Sequence, residues 1–472
     1  MAAVIAGKLT RAGVMALGRG ATAIPGVIAL AIAPDLIASL TRALPHGVTL
    51  VSGTNGKTTT ARMLAGIVQA AGWSPVHNRS GSNLDRGIAA TLAADATWTG
   101  APRGDAGLFE VDEASLPRLL ARTAPRVVII TNLFRDQLDR YFEIDALARR
   151  IGDAVAALPP STTLVLNADD PIVAYLGDRH RGHIVHFGVD DPSVGGTVPQ
   201  AISDATRCPR CRQSLAYRRI VLAHEGDWHC PSCGLARPAR DLAAASVALE
   251  LSSSRLRLAG PQGGGAFDAV VVPLPGLYNA YNALAALAAA RALDIPLATA
   301  VRAIAAFRPA FGRLEAVEAE GRTLRLVLVK NPAGFNAAIA ALLETRRRPR
   351  LLAALNDRDA DGRDVSWIWD ADFEALAPAV EHAVVTGLRA RDLALRFKYA
   401  GVDAARIDVV DGPAAALRRA LDAAKRVPPG ESRVPPGEST AQEIVVLATY
   451  TAMLALRGAL ADLGFVGRFW ED

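Results

Sequence analysis

The chain has 472 residues, of which 51% are hydrophobic and 21% charged. That length exceeds one ordinary core and that composition excludes intrinsic disorder, so two or three packed domains are expected. A net charge of +5 suits phosphate-bearing substrates, anionic lipid or nucleic acid and selects none of them.

At the amino terminus Lys8, Arg11 and Arg19 precede an apolar run from Ala21 to Ala33, an arrangement with some likeness to a signal peptide. Pro25, Pro34 and Asp35 interrupt it, and about 13 residues cannot span a bilayer. A helix lying against the first domain is expected instead, in a soluble, cytoplasmic protein. The short apolar segment "VTLVS" (48–52) then reads as a strand, followed by a Gly-rich turn and a helix from about Thr58 to Ala71. "AGLFEVDEA" (106–114), "RVVIITNL" (126–133) and "TLVLNADD" (163–170) read as further buried strands. Apolar runs alternating with helical stretches predict a parallel sheet with helices on both faces.

The turn after the first strand is "GTNGKTTT" (53–60). Gly53 and Gly56 let the backbone point its N–H groups at phosphate oxygens, with Thr54 and Asn55 between them and Thr59 in the first helical turn. Lys57 can set its ammonium on the β- and γ-phosphates of ATP, and the Thr58 hydroxyl can ligate Mg2+. Val51 stands where the first Gly of the full G-x-x-x-x-G-K-[ST] form would be.

All four cysteines fall in one C-x2-C-x18-C-x2-C segment, Cys208, Cys211, Cys230 and Cys233. The spacing fits a four-thiolate zinc ribbon closed by the hairpin "LAYRRIVLAHEGDWHC", with His224 and His229 as bystanders. Four protein ligands leave no open position, so the zinc is expected to be structural. The ribbon, 202–237, is read as an insertion in a first domain spanning 1–305, to which the Ala-rich helix "GLYNAYNALAALAAARAL" (276–293) returns.

A second α/β domain, 306–472, restarts around "FRPAFGRLE" (307–315). It is predicted from strands at 324–330, 350–355, 382–387 and 443–450 and a helix near 335–345. The tandem "RVPPGESRVPPGES" (426–439) reads as an exposed loop insertion. After the 350–355 strand comes "NDRDADGRDVSWIWDADFE" (356–374), with seven carboxylates and two tryptophans, Trp367 and Trp369. Two indoles in a solvated loop imply that something covers them. The start of a calcium loop is present at Asp357, Asp359, Asp361 and Gly362, but Ile368 stands where its glutamate belongs.

The loop "GTNGKTT" resembles the ATP loop of the Mur ligase family, which joins amino acids to peptidoglycan precursors. Four further marks follow in order: "FEVDEA", "TNLFRDQLDRYFE", "GLYNAYNALAA" and "GRLE". The resemblance implies that Glu110 helps hold Mg2+, that Asn279 contacts the nucleotide and that Arg313 lies at the hinge beside the ATP site. Gln137 and Lys330 each stand where the family has a histidine, and Lys330 is read as a residue that reaches the transferring phosphoryl group. Only 52 residues precede the loop, fewer than the family's UDP-recognising domain fills, so UDP recognition of the usual kind is not expected.

The cysteine insertion together with "KNPAGFN" and "NDRDADGRDVSWIWD" is similar to the MurT group within that family. This resemblance implies a heterodimer with a GatD-type glutaminase. It implies ATP-dependent amidation of the D-glutamate α-carboxyl of lipid II, at the inner face of the membrane. It also implies that one aspartate of the acidic segment completes the partner's Cys–His pair, with Asp364 the first choice and Asp357 and Asp370 the alternatives. A stand-alone Mur- or folylpolyglutamate-type amino-acid ligase is the competing reading. A nucleic-acid-directed ATPase is disfavoured, because no basic helix with an aromatic stacking surface is present.

Overall fold

A computed structural model describes residues 1–16, 23–78, 82–134, 141–196, 205–249, 253–259, 267–308, 313–329, 331–344, 350–425 and 443–466. They form two compact units, Met1–Phe307 and Arg308–Asp472.

The first unit is built on a nine-stranded sheet. Its strands are β1 (Val48–Ser52), β2 (Pro75–His77), β3 (Ala106–Glu110), β4 (Val127–Ile130), β5 (Thr163–Asn167) and β6 (Ile184–Val189). After a separate hairpin of β7 (Ala216–Leu222) and β8 (Glu225–His229), the sheet resumes with β9 (Leu242–Leu249), β10 (Ser254–Ala259) and β11 (Phe267–Val272). The spatial order is β11-β10-β9-β6-β5-β4-β1-β3-β2. Every pairing from β2 to β9 is parallel, whereas β9–β10 and β10–β11 are antiparallel.

The parallel part follows from the apolar runs: β1, β3 and β4 are buried at every position, as strands covered on both faces must be. The antiparallel edge departs from the expected all-parallel sheet. In β10, "SRLRLA", leucine alternates with arginine and burial alternates with them, which is the signature of a strand with one wet face.

The helix Leu277–Ala292 is buried at every residue from Asn279 to Ala290, because its alanines allow neighbours to approach on all sides. The amino-terminal apolar run is the helix Ile24–Ile32, and it lies against this unit as expected: a Cβ on Gly26 would strike the Arg86 carbonyl in the helix Asp85–Asp95. Among the described residues no single helix is long and apolar enough to cross a membrane.

The second unit carries a six-stranded sheet of β12 (Arg313–Ala319), β13 (Arg322–Leu328), β14 (Arg350–Ala354), β15 (His382–Thr386), β16 (Ile407–Val409) and β17 (Ile444–Ala448). Its order is β12-β13-β17-β14-β15-β16, parallel except for the β12–β13 pair. Alternate residues of β14 feed two apolar clusters. Leu351 and Ala353 pack with Phe335, Trp367 and Phe373, while Leu352 and Ala354 pack with Leu417, Met453 and Leu456. Gln137, Gly312, Lys330 and the duplicated 426–439 segment lie outside the described residues.

Candidate active site

The loop between β1 and the helix Lys57–Ala70 has the geometry that phosphate binding demands. Gly53 takes φ 134° and Gly56 φ 84°. A Cβ at either position would strike a side chain, Thr131 Oγ1 at the first and Asn282 Oδ1 at the second. Only glycine satisfies both conditions.

The loop is clamped from the β4 side. Asn55 N–H donates to Asn132 Oδ1 at 2.8 Å, and Thr131 Oγ1 donates to the Asn55 carbonyl at 2.8 Å. Thr54 N–H donates to the Asn132 carbonyl at 3.0 Å, and Phe134 N–H donates to Thr54 Oγ1 at 2.9 Å. On the opposite side Asn282 Nδ2 donates to Asn279 Oδ1 at 3.2 Å, and Asn279 Nδ2 to the Pro275 carbonyl at 2.8 Å.

Lys57 is buried at the first helical position. Its ammonium donates to the Gly53 carbonyl at 2.5 Å, the Thr54 carbonyl at 3.2 Å and Glu113 Oε2 at 3.1 Å. Thr58 Oγ1 donates to Glu110 Oε2 at 2.7 Å. Glu110 ends β3, where its backbone N–H and carbonyl are both held by the Asn78 side chain at 2.9 Å. A hydroxyl and a carboxylate converging from two elements form an oxygen donor set of the kind a hard divalent cation takes.

Sequence reasoning therefore places Thr54, Asn55, Gly56, Lys57, Thr58, Glu110 and Asn279 in one neighbourhood, and the structure brings them together. Thr59 is buried in the first turn of the same helix. Arg313 opens β12 in the other unit. Glu113, Asn282, Asn132 and Asn78 were not singled out. The third carboxylate of "FEVDEA", three residues after Glu110, was the available signal for Glu113.

The four cysteines converge, with every Sγ within 4.8 Å of the others. Cys211 and Cys230 are 3.4 Å apart and Cys208 and Cys233 3.6 Å. Thiolates around a tetrahedral ion with bonds of about 2.3 Å stand roughly 3.8 Å apart, so the set fits one four-coordinate metal. His224 and His229 are not members of it; among the described residues this is the single His/Cys/Asp/Glu group of metal-holding geometry. The acidic segment accordingly has no calcium-like convergence.

In that segment the carboxylates are engaged one by one. Asp357 pairs with Arg389 at 2.8 Å and Asp359 with Arg363 at 2.6 Å, while Glu374 binds Arg396 at 2.6 Å. Asp361 is buried and accepts from the N–H and hydroxyl of Thr451 at 2.7 and 2.5 Å. Asp364 is half-buried and accepts from Ser366 N–H at 2.8 Å. Hydrogen bonds from the Ser366 hydroxyl and N–H hold its carboxyl below the usual range. Asp370 closes the 3-10 turn Ser366–Trp369 with its backbone N–H, which donates to the Trp367 carbonyl at 3.1 Å.

The two indoles, for which some cover was expected, differ: one is covered by the core and the other is not. Trp367 is 4% exposed and packs edge-on to Phe335, whereas Trp369 is 49% exposed beside Tyr399 and Arg396. Within the 3-10 turn Ser366–Trp369 the first enters the core and the second faces solvent.

Residues 51–206 match the family model of the Mur ligase middle domain, and residues 328–453 match that of the MurT ligase C-terminal domain. MurF from Acinetobacter baumannii shares the fold, with a TM-score of 0.65 at 19% identity over 93% of this chain and 80% of that one. The loop, the two α/β units and these matches define an ATP-dependent ligase of the Mur type, a class that uses ATP with Mg2+ in peptidoglycan biosynthesis.

Two relatives narrow the class. The lipid II isoglutaminyl synthase (glutamine-hydrolyzing) subunit MurT of Staphylococcus aureus COL is 32% identical, covering 84% of this chain and 87% of its own. Its namesake from Streptococcus pneumoniae R6 is 33% identical over 97% of this chain and 96% of its own. The chain belongs to the MurT family, and a partner subunit is implied by that membership.

Proposed function

We propose that this chain is the synthetase subunit that converts the D-glutamate α-carboxyl of the lipid II stem peptide to the amide of D-isoglutamine, with ammonia from a GatD-type glutaminase. The observation that carries the reading is the cysteine cluster. A glutaminase of the Cys–His type needs a free thiolate nucleophile, and all four cysteines of the chain meet in one metal-like set. Ammonia is therefore supplied from outside this chain, as the names of the two relatives, "glutamine-hydrolyzing" and "subunit", support.

A carboxylate does not react with ammonia, because oxide is too poor a leaving group. Attack of the carboxylate oxygen on the γ-phosphorus of ATP expels ADP and gives an acyl phosphate. Ammonia then attacks the acyl carbon, phosphate leaves and the nitrogen gives up a proton. Within this scheme Gly56 and Thr59 are assigned to the phosphates, Thr54 and Asn55, whose N–H groups Asn132 holds, shape the loop around them, Lys57 offsets charge on the transferring group, and Asn279 borders the nucleotide. Thr58 and Glu110 would hold Mg2+, which when bound screens the phosphate charge. Arg313 and Lys330 of the second unit are assigned to the phosphoryl group, and closure around it excludes water.

Cys208, Cys211, Cys230 and Cys233 are assigned to a structural zinc, in a ribbon inserted at 202–237 of the first domain (1–305), ahead of a C-terminal domain (306–472). Asp364, with Asp357 and Asp370 as alternatives, is assigned to orient the partner's catalytic histidine. The site of action is the cytoplasmic face of the membrane, where lipid II is reached.

The deciding experiment expresses the chain with and without a glutaminase subunit and follows lipid II amidation by mass spectrometry. Glutamine-dependent amidation is expected only with both subunits and is abolished by Lys57→Ala. Amino-acid addition to the substrate by this chain alone would instead establish the stand-alone ligase.

A further inference from the structure

The cysteine hairpin reaches well beyond its thiols. Its turn, Ala223-His224-Glu225, lies about 17 Å along β8 from Cys230 at the usual rise per residue. It is buried in the first unit, with His224 0% and Glu225 1% exposed.

From this turn a chain of hydrogen bonds leads to the phosphate loop. Glu225 Oε1 accepts from Asn167 Nδ2 at 2.9 Å, and the same amide donates to the Thr131 carbonyl at 3.0 Å. Thr131 Oγ1 in turn holds the Asn55 carbonyl at 2.8 Å. Beside it the His224 ring stands 4.5 Å from Phe134, whose N–H and carbonyl both engage Thr54 Oγ1.

The far end of the hairpin is tied to the opposite wall. Arg237, just past Cys233, donates to Asp169 Oδ1 at 2.7 Å, and Asp169 Oδ2 accepts from the Tyr281 hydroxyl at 2.6 Å. Tyr281 sits between Asn279 and Asn282 in the helix Leu277–Ala292. Burial, reinforced by Asp170 and Asp169, pushes the Glu225 carboxyl well above the usual range.

We infer that Glu225 is a positioning residue for the nucleotide site: through Asn167 and Thr131 it fixes the phosphate loop, and the cysteine hairpin is the brace that holds it there. The inference rests on the reading that loop 53–59 binds the phosphates. Without the Glu225 acceptor, one Asn167 N–H is left unpaired in a dry interior, and Asn167 relieves this by moving, taking the Thr131 segment with it. Displacements well under an ångström in such a cradle are felt as lost affinity.

The test measures ADP·Mg2+ affinity of the full chain by calorimetry, with KM for ATP and kcat alongside and bound metal read by elemental analysis. Glu225→Ala is expected to weaken ADP about tenfold and to raise KM for ATP in step, with kcat and metal content near those of the parent. Glu225→Asp retracts the carboxyl by one methylene without opening a large cavity. It is expected to behave similarly and stands in if the alanine variant does not fold. Glu225→Gln keeps the Oε1 acceptor and is expected to bind ADP within about twofold of the parent. Parent-like ADP affinity in Glu225→Ala or Glu225→Asp, while Lys57→Ala has lost binding, overturns this inference alone. Parent-like affinity in Lys57→Ala overturns the site reading and the inference with it.

Discussion

Lys57 Nζ lies 3.1 Å from Glu113 Oε2, with 9% and 15% of the two side chains exposed. The ammonium assigned to the phosphates is thus held by a carboxylate of the chain itself, and an incoming nucleotide has to take over that contact. Glu113→Gln keeps a hydrogen-bond acceptor and removes the competing charge. It is expected to bind ADP at least about twofold tighter, because a largely buried ion pair no longer has to be broken. Titration calorimetry decides it, and weaker binding would show that Glu113 supports the ligand instead of competing with it.

Thr58 and Glu110 meet at 2.7 Å across the gap between helix and sheet. If both serve one cation, Thr58→Val and Glu110→Gln are each expected to lower amidation about a hundredfold. They are also expected to raise the Mg2+ concentration at half-maximal rate. An unchanged Mg2+ midpoint in both variants refutes the shared site.

Cys208 is fully buried in the thiol cluster. Cys208→Ser is expected to purify with bound zinc reduced to background and to lose the fold of the hairpin, because the ligand set is also the local core. Limited trypsin digestion reads this directly. Arg218 and Arg219 lie in β7, and cleavage there is expected in the variant long before the parent is cut. Equal digestion rates would show that the hairpin folds without its metal.

Glu225 supplies a pH signature. Burial, with Asp170 and Asp169, raises its folded pKa above the unfolded value, so the folded state holds a proton that the unfolded state has released. Its contribution is fully present below the unfolded pKa, about 4.3, and is lost as pH rises towards the folded pKa. The slope is up to about 1.4 kcal/mol per pH unit. Glu225→Gln lacks this proton, so its stability relative to the parent is expected to increase between pH 5 and pH 8. Thermal melts of both proteins across that range test the sign, and a constant difference would mean that Glu225 titrates normally.

Asp364 is held by Ser366 and is half-buried. Asp364→Asn preserves that turn and removes the charge. With the glutaminase present it is expected to lose glutamine-driven amidation while keeping ammonium-driven amidation and ADP affinity. Full activity with glutamine would move the role to Asp357 or Asp370.

Much of this was legible from residue pattern, and the reasons are physical. Strands covered on both faces carry few polar residues, so β1, β3, β4, β14 and β17 stood out. The loop glycines announced themselves because their φ values and close neighbours admit no other residue. Glu113 and Asn132 did not, since a second carboxylate or amide becomes significant only when the backbone brings it to Lys57 or Asn55. The acidic segment is legible only in part for the same reason. Composition gives a charge density but not the arginines, Arg363, Arg389 and Arg396, that answer it. Nor does it show that Trp367 turns inward.

The bond from Thr451 to Asp361 has a mechanical consequence. Asn356 fastens the chain to Thr449 and Thr451 as it leaves β14, and Asp361 fastens it again to Thr451. Asp364 is only three residues beyond that second anchor, a leash of about 10 Å at full extension. It is mounted on the scaffold and cannot cast outward to find a target. Any protein that uses its carboxylate must bring its own catalytic groups to the crest of this sheet, and if Asp364 serves a partner as proposed, mutations that shift the mooring at Thr451 would be felt in that partner's turnover.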